Sequence, residues 1–179
     1  MTLLFLPDSF ALSISNNIIS NDGIESVKTG DSVDKVFSVF KHRYQINDLN
    51  NPHIMREITI SEKGHRFLSF SIDSEGKIAM IDIYAKYRTR ENIGCGSTLS
   101  SIIKTYGKGH IDPTDEGYYI FFDNSKIKGV QFLLNNNDIP RDLRNIPDDV
   151  ITNKNETKIL SLGKARIVRI RINYIYDDE

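Results

Sequence analysis

A twofold internal echo constrains this chain more than any other feature. Gly30-Asp31-Ser32-Val33-Asp34-Lys35-Val36-Phe37-Ser38-Val39-Phe40 is repeated in kind by Gly96-Ser97-Thr98-Leu99-Ser100-Ser101-Ile102-Ile103-Lys104-Thr105-Tyr106. Val33, Val36, Phe37 and Phe40 fall at i, i+3, i+4 and i+7, and Leu99, Ile102, Ile103 and Tyr106 occupy the same offsets. That spacing paints one apolar stripe on a short helix in each copy. Asp31 and Ser97 are short polar residues expected to cap the first backbone N–H groups, and Gly107 is expected to stop the second helix. Each helix is followed by a strand, a polar turn and a strand: 67–73 and 78–84 in the first copy, 118–123 and 127–133 in the second. Asp73 then matches Asp123, and Lys77-Ile78 matches Lys126-Ile127. A unit used twice, each copy too small to bury its own apolar face, predicts two halves built around a shared core.

Further strands are expected at Ala11–Ser15 and Gly23–Val27, before the first helix, and at Arg56–Ile60. Ile167–Tyr176 has the cleanest alternation in the chain. The stretch 135–149, punctuated by Pro140 and Pro147, reads as a loop or short helix. No polar linker separates two independent domains. The expectation is therefore one α+β domain over 1–179, with repeats at about 24–85 and 93–134 and a C-terminal strand region at 155–179. Its duplicated helix–hairpin units would form one antiparallel sheet with the helices on one face.

Alternation then sorts the side chains. Ile58, Ile60, Leu68, Phe70, Ile72, Ile81, Ile83, Ile120, Phe122, Val130 and Phe132 should point to the helices. On the last strand Val168, Ile170, Ile172 and Tyr174 should join them. The opposite face is left with Phe67, Ser69, Ser71, Met80, Asp82, Tyr84, Tyr119, Phe121, Gln131, Leu133, Arg169, Arg171 and Asn173. Tyr, Phe, Met and Arg are the types enriched at protein interfaces. Tyr84, Tyr119, Phe121, Arg169 and Arg171 are accordingly the expected protein-binding anchors, although rings on such a face also pack on one another or under a loop such as 135–150. The two arginines would alternatively guard an exposed strand edge.

No catalytic constellation accompanies this scaffold. His42, His53, His65 and His110 form no metal-binding spacing, and the single Cys95 excludes an internal disulfide or a cysteine-based cluster. The acidic pairs Asp115-Glu116 and Asp148-Asp149, and the terminal Asp177-Asp178-Glu179, sit in turn-like or terminal settings and read as solvated. Gly94-x-Gly96 is a turn, not a dinucleotide fingerprint. No metal, no cofactor and no catalytic residue is assigned. If the chain were a hydrolase with a cleft between the repeats, His110, Asp112 or Cys95 would carry it. Lys plus Arg number 23 against 24 Asp plus Glu, a formal charge of -1, so bulk charge does not recruit nucleic acid. The basic clusters at 86–90 and 166–171 are too local to reverse that. No stretch approaches the roughly 18 apolar residues of a membrane helix.

The G-[DS]-[ST]-x-x-x-[VI] helix start followed by an antiparallel meander, present twice, resembles small exported bacterial domains. Among these are the tandem-repeat beta-lactamase inhibitory proteins and the single-repeat outer-membrane assembly lipoproteins of the SmpA/OmlA type. Residues 30–40 with 66–84, and 96–107 with 118–133, carry the likeness. The proline usual after the helix-ending glycine is absent, since Lys108 follows Gly107, and that family's disulfides are impossible here. The resemblance implies a non-enzymatic protein-binding module, an inhibitor or immunity protein that occludes an enzyme or toxin in the bacterial envelope. An envelope scaffold or lipoprotein is the alternative. Met1–Ala11, with Ser9-x-Ala11 as a small-residue cleavage pattern, fits the tail of an export signal. A periplasmic or envelope location follows from that reading, with cytoplasm as the alternative. Membrane association would need a lipid anchor upstream of Met1, and the oligomeric state is left open.

Overall fold

The computed structural model describes residues 17–50, 55–144, 146 and 152–173. The strand expected at Ala11–Ser15, the export pattern at Met1–Ala11, His53, Asp148-Asp149, Pro147, Tyr174, Tyr176 and the acidic C-terminus lie outside the described residues. Two eight-residue helices start the two halves. Helix α1 (Val33–Phe40) buries Val36 and Phe40; α2 (Leu99–Tyr106) buries Leu99, Ile102 and Tyr106. Val33, Phe37 and Ile103 pack partly buried against the same core, so the predicted stripes face inward.

The caps sit one residue later than expected, at Ser32 and Thr98, and the Thr98 side chain accepts the Ser101 N–H. Gly30 and Gly96, at φ 85° and 86°, turn the chain through left-handed backbone so that the next residues run extended. Gly30 N–H donates to Ile78 O at 2.7 Å and Asp31 O accepts the Ile78 N–H at 2.9 Å. Gly96 and Ser97 make the same pair of bonds with Ile167, at 2.7 and 2.9 Å. Asp31 and Ser97 are thus held in a strand rung. Their side chains accept the Lys28 and Gly94 N–H groups instead.

Twelve strands are described: β1 (Ile18–Ile19), β2 (Gly23–Ile24), β3 (Val27–Lys28), β4 (Gln45–Leu49), β5 (Arg56–Glu62), β6 (His65–Ile72), β7 (Ile78–Ile83), β8 (Arg88–Thr89), β9 (His110–Thr114), β10 (Gly117–Phe121), β11 (Val130–Leu134) and β12 (Ile167–Asn173). The first three and β8 form a small sheet, β3-β2-β1-β8, and the expected strand at 23–27 is in fact its tight hairpin. The other eight form one antiparallel sheet, ordered β4-β5-β6-β7-β12-β11-β10-β9. Each half is therefore a helix followed by a four-stranded meander, and the halves join where β7 meets β12.

The register shows how closely the halves match. Leu68, Ser69, Phe70, Ser71 and Ile72 pair with Ile83, Asp82, Ile81, Met80 and Ile78; Val130, Gln131, Phe132, Leu133 and Leu134 pair with Ile172, Arg171, Ile170, Arg169 and Ile167. Both ladders slip at the same step, between Ser71 and Ile72 and between Leu133 and Leu134. Phe40 packs on Phe70 at 5.8 Å, and in the equivalent place Tyr106 packs on Phe132 at 6.2 Å. At the joint Ile81 pairs with Ile172 and Ile83 with Ile170, two pairs that exchange under the repeat. Asp82 and Arg171 are equivalents that face each other, so the local twofold axis passes between them. Because Phe70 and Phe132 lie in the rows of Ile81 and Ile83, both helices cover the same face.

This equivalence corrects the hairpin matching read from sequence. The counterpart of β6–β7 is β11–β12, not β10–β11, and Lys77-Ile78 corresponds to Arg166-Ile167. The short turn 74–77 of the first half becomes an excursion from 135 to 166 in the second. It holds two 3₁₀ turns (Asn136–Asp138 and Arg141–Leu143) and helix α3 (Asn153–Leu160), capped by Thr152. A meander repeats a strand–turn–strand pattern at every step, so a one-strand slip leaves the local signal unchanged. The second unit is complete only with β12.

All eleven residues assigned to the helix side from 58 to 132 are buried, at 4 % exposure or less. Val168 is an exception on β12. It is the extra residue of the β11–β12 bulge and is 40 % exposed, while Ile167, Ile170 and Ile172 are buried. Phe67 is likewise the extra residue where β5 and β6 slip. It turns to the core side, 4.9 Å from the Tyr44 ring, and leaves the opposite face. The described part of 135–146 also stays on the helix side. Ile139 and Leu143 are buried there, and the Tyr118 hydroxyl donates to Leu143 O.

Candidate functional site

The helix-free face is organised around the twofold axis by charge. Arg171 Nε and Nη2 reach Asp82 Oδ1 and Oδ2 at 2.8 and 2.9 Å, a bidentate pair. Glu116, in the tight turn between β9 and β10, reaches over this face. Its Oε2 accepts from Arg169 Nη2 at 2.6 Å, Arg171 Nη2 at 3.2 Å and the Tyr119 hydroxyl at 3.0 Å. Arg169 Nη1 lies 3.5 Å from Asp82 Oδ2, which closes the square of two cations and two anions. The Arg171 guanidinium stacks 4.8 Å from the Tyr119 ring centre, and Arg169 lies 5.7 Å from both Tyr84 and Tyr119. From the other flank Arg66 stacks 4.3 Å over Tyr84.

Electrostatics holds Glu116 and Arg169 ionised. Burial opposes the charge on Glu116, but the hydrogen bonds from Arg169 and Tyr119 and the nearby guanidiniums prevail and lower its pKa. Burial raises the Tyr119 phenol. Arg169 is desolvated, yet Glu116 and Asp82 keep its pKa above the ordinary value.

Placed in this geometry, the five expected anchors separate. Tyr119 has 0 % exposure and offers a partner no surface. The side chains of Arg169 and Arg171 are 12 % and 17 % exposed and already neutralised. These three form a rigid floor. They do not guard an edge either, since β12 lies mid-sheet. Tyr84 and Phe121 remain half-buried at the surface, beside Met80 and Gln131. Glu116 was missed because an acidic turn pair looks solvated from sequence. Two outward arginines on a fully paired central strand were the signal that counter-charges had to be near.

A second feature lies at the mouth of β10 and β11. Their ladder pairs Tyr119 with Leu133 and Ile120 with Phe132, then ends. The next residues in register, Phe121 and Gln131, are splayed apart by the loop 122–129. A recess of about 410 Å³ opens there between Phe121, Asp123, Lys128, Gln131 and Asn173. In the first half the matching Thr59 and Ser69 stay paired, and the ladder runs on to Glu62 and His65. Lys63 and Gly64, at φ 51° and 79°, close that hairpin in two residues. His110 stacks on Phe121 at 5.3 Å, and its Nε2 lies 3.0 Å from Asp123 Oδ2.

No family model and no curated protein matches the chain. A solved structure does: the crystal structure of the uncharacterized protein yfeY from Escherichia coli. It superposes with a TM-score of 0.59 at 10 % identity, covering 88 % of this chain and 99 % of that one. The likeness is one of fold.

The residues considered for chemistry lie apart in their contacts. His110 pairs with Asp123. The Cys95 thiol donates to Ile83 O at 3.4 Å, and burial pushes its pKa up to about 11. Among the described residues no three His, Cys, Asp or Glu side chains gather as a metal site, and no helix is long and apolar enough to cross a membrane.

Proposed function

We propose that this chain is a non-enzymatic protein-binding module of the bacterial envelope, an inhibitor or immunity protein that occludes an enzyme or toxin with the helix-free face of its sheet. The observation that supports the reading is the charge square on the twofold axis. Asp82, Glu116, Arg169 and Arg171 spend their charges on one another, which stiffens the centre of the face and leaves Tyr84, Met80 and Phe121 among its surface side chains. A rigid face carrying rings at low entropic cost suits occlusion better than turnover. The resemblance of the sequence repeat to exported bacterial domains is what supports an envelope setting.

The test is site-specific photo-crosslinking in an envelope extract. A crosslinking side chain at Tyr84 or Met80 should capture one discrete protein, and the same group at Lys104, exposed on α2, should not. Tyr84→Ala should weaken binding to the captured protein by about 1–3 kcal/mol. Capture at Lys104 alone, or an unchanged affinity for Tyr84→Ala, would overturn the reading.

A further inference from the structure

We propose that the recess at the mouth of β10 and β11 binds a neutral saccharide unit, with the sugar ring stacked on Phe121 and its hydroxyls held by the Gln131 and Asn173 amides. The first support is the internal comparison. The same fold position in the first half is closed by a two-residue turn and a continuous ladder. In the second half the pairing stops at Phe121 and Gln131, and a bulky ring and a long amide replace Thr59 and Ser69. The sheet gives up a rung there, and the space gained is a cavity of about 410 Å³, within the range of small-ligand sites.

The second support is the chemistry of the lining. Phe121 lies between β9 and the recess, and His110 buttresses it from the β9 side while Asp123 anchors the imidazole. The ring is thus a fixed platform turned toward β11. A pyranose presents a face of C–H groups that suits such a ring, and a rim of hydroxyls that both donate and accept. Gln131 and Asn173 answer that rim, since an amide side chain does both as well. Neither makes a side-chain hydrogen bond to another described residue. Asp123 and Lys128 both line the recess and carry opposite charges, so it favours neither anion nor cation. A neutral ligand rich in hydroxyls fits that balance.

This goes beyond the protein-docking reading, because the recess is lined by Gln131 and Asn173 and not by Tyr84, the ring on which the docking test turns. The experiment is a ¹H–¹⁵N NMR titration of the full chain with N-acetylglucosamine trimer, maltotriose and, as a charged control, a galacturonate trimer. At least one neutral trimer should shift the Phe121 and Lys128 backbone amides and the Gln131 and Asn173 side-chain amides saturably, with a millimolar midpoint as expected for so small a contact. Thr59 and Ser69 should not move. Phe121→Ala should raise that midpoint about tenfold, and Gln131→Ala should raise it as well, both with an otherwise native spectrum. The proposal is overturned if neither neutral trimer gives a saturable shift, if the midpoint is the same in both variants, or if the galacturonate trimer binds more tightly. Should Phe121→Ala lose its native spectrum, Gln131→Ala, whose side chain makes no hydrogen bond to a described residue, decides the matter.

Discussion

Among the described residues the two halves of the sheet carry the same frame and part company at two hairpins. Both halves use a left-handed glycine before the helix, the same rung to the fourth strand, the same ring pair under the helix and the same bulge. They differ where β5–β6 closes in two residues while β10–β11 opens over 122–129, and where the turn 74–77 becomes the excursion 135–166. Packing explains the division. The helix-covered face must interdigitate at interior density, so both copies retain its shape. Loop length is thermodynamically cheap and free to diverge. Among the described residues, what the second copy added is a recess and a docked α3.

The equivalence of the halves is broken or sharpened most directly in the core. Phe70→Ala and Phe132→Ala should each cost about 3–5 kcal/mol in urea unfolding, and values within about 1 kcal/mol of each other would confirm that the two ring pairs do the same work. Next comes the pair on the axis. Asp82→Ala removes the bidentate partner of Arg171, leaving it only the single carboxylate contact to Glu116, and should cost about 3 kcal/mol. The exchange Asp82→Arg with Arg171→Asp should recover part of that, because it restores an opposite-charge pair between the facing positions of β7 and β12. A double variant no better than Asp82→Ala would show that the two positions are not interchangeable.

The hairpins test the difference rather than the likeness. Gly64→Ala places a side chain at φ 79° and should cost about 1–2 kcal/mol, whereas one alanine inserted after Ser125 should cost less than about 0.6 kcal/mol. The smallest effect concerns pH. The lowered pKa of Glu116 means that its stabilising contribution is complete above its ordinary value of 4.5 and is lost as the pH falls through the lowered folded value. The unfolding free energy should therefore drop on acidification below about that point, and Glu116→Gln should flatten the drop.

Much of the frame was legible in the residues. The stripes 33–40 and 99–106 gave the helices because a 3.6-residue period survives in any setting, and period-two runs sorted eleven core positions correctly. Val168 and Phe67 were misplaced because a bulge shifts the alternation by one, and nothing local marks it. The strand pairing slipped by one hairpin for a similar reason, since neighbouring steps of a meander look alike. On the face, Tyr84 and Phe121 were legible as surface rings. The burial of Tyr119 and the neutralisation of Arg169 and Arg171 were not.

The residue order by itself determined a doubled helix-and-strand chain with one apolar side, because periodicity is a local property carried by each segment. Only the tertiary structure decided that β12 joins β7, which sets Asp82 against Arg171 on a twofold axis and brings Glu116 over both. Those partners lie far apart along the chain, and charge pairing acts through space, so no local pattern records it.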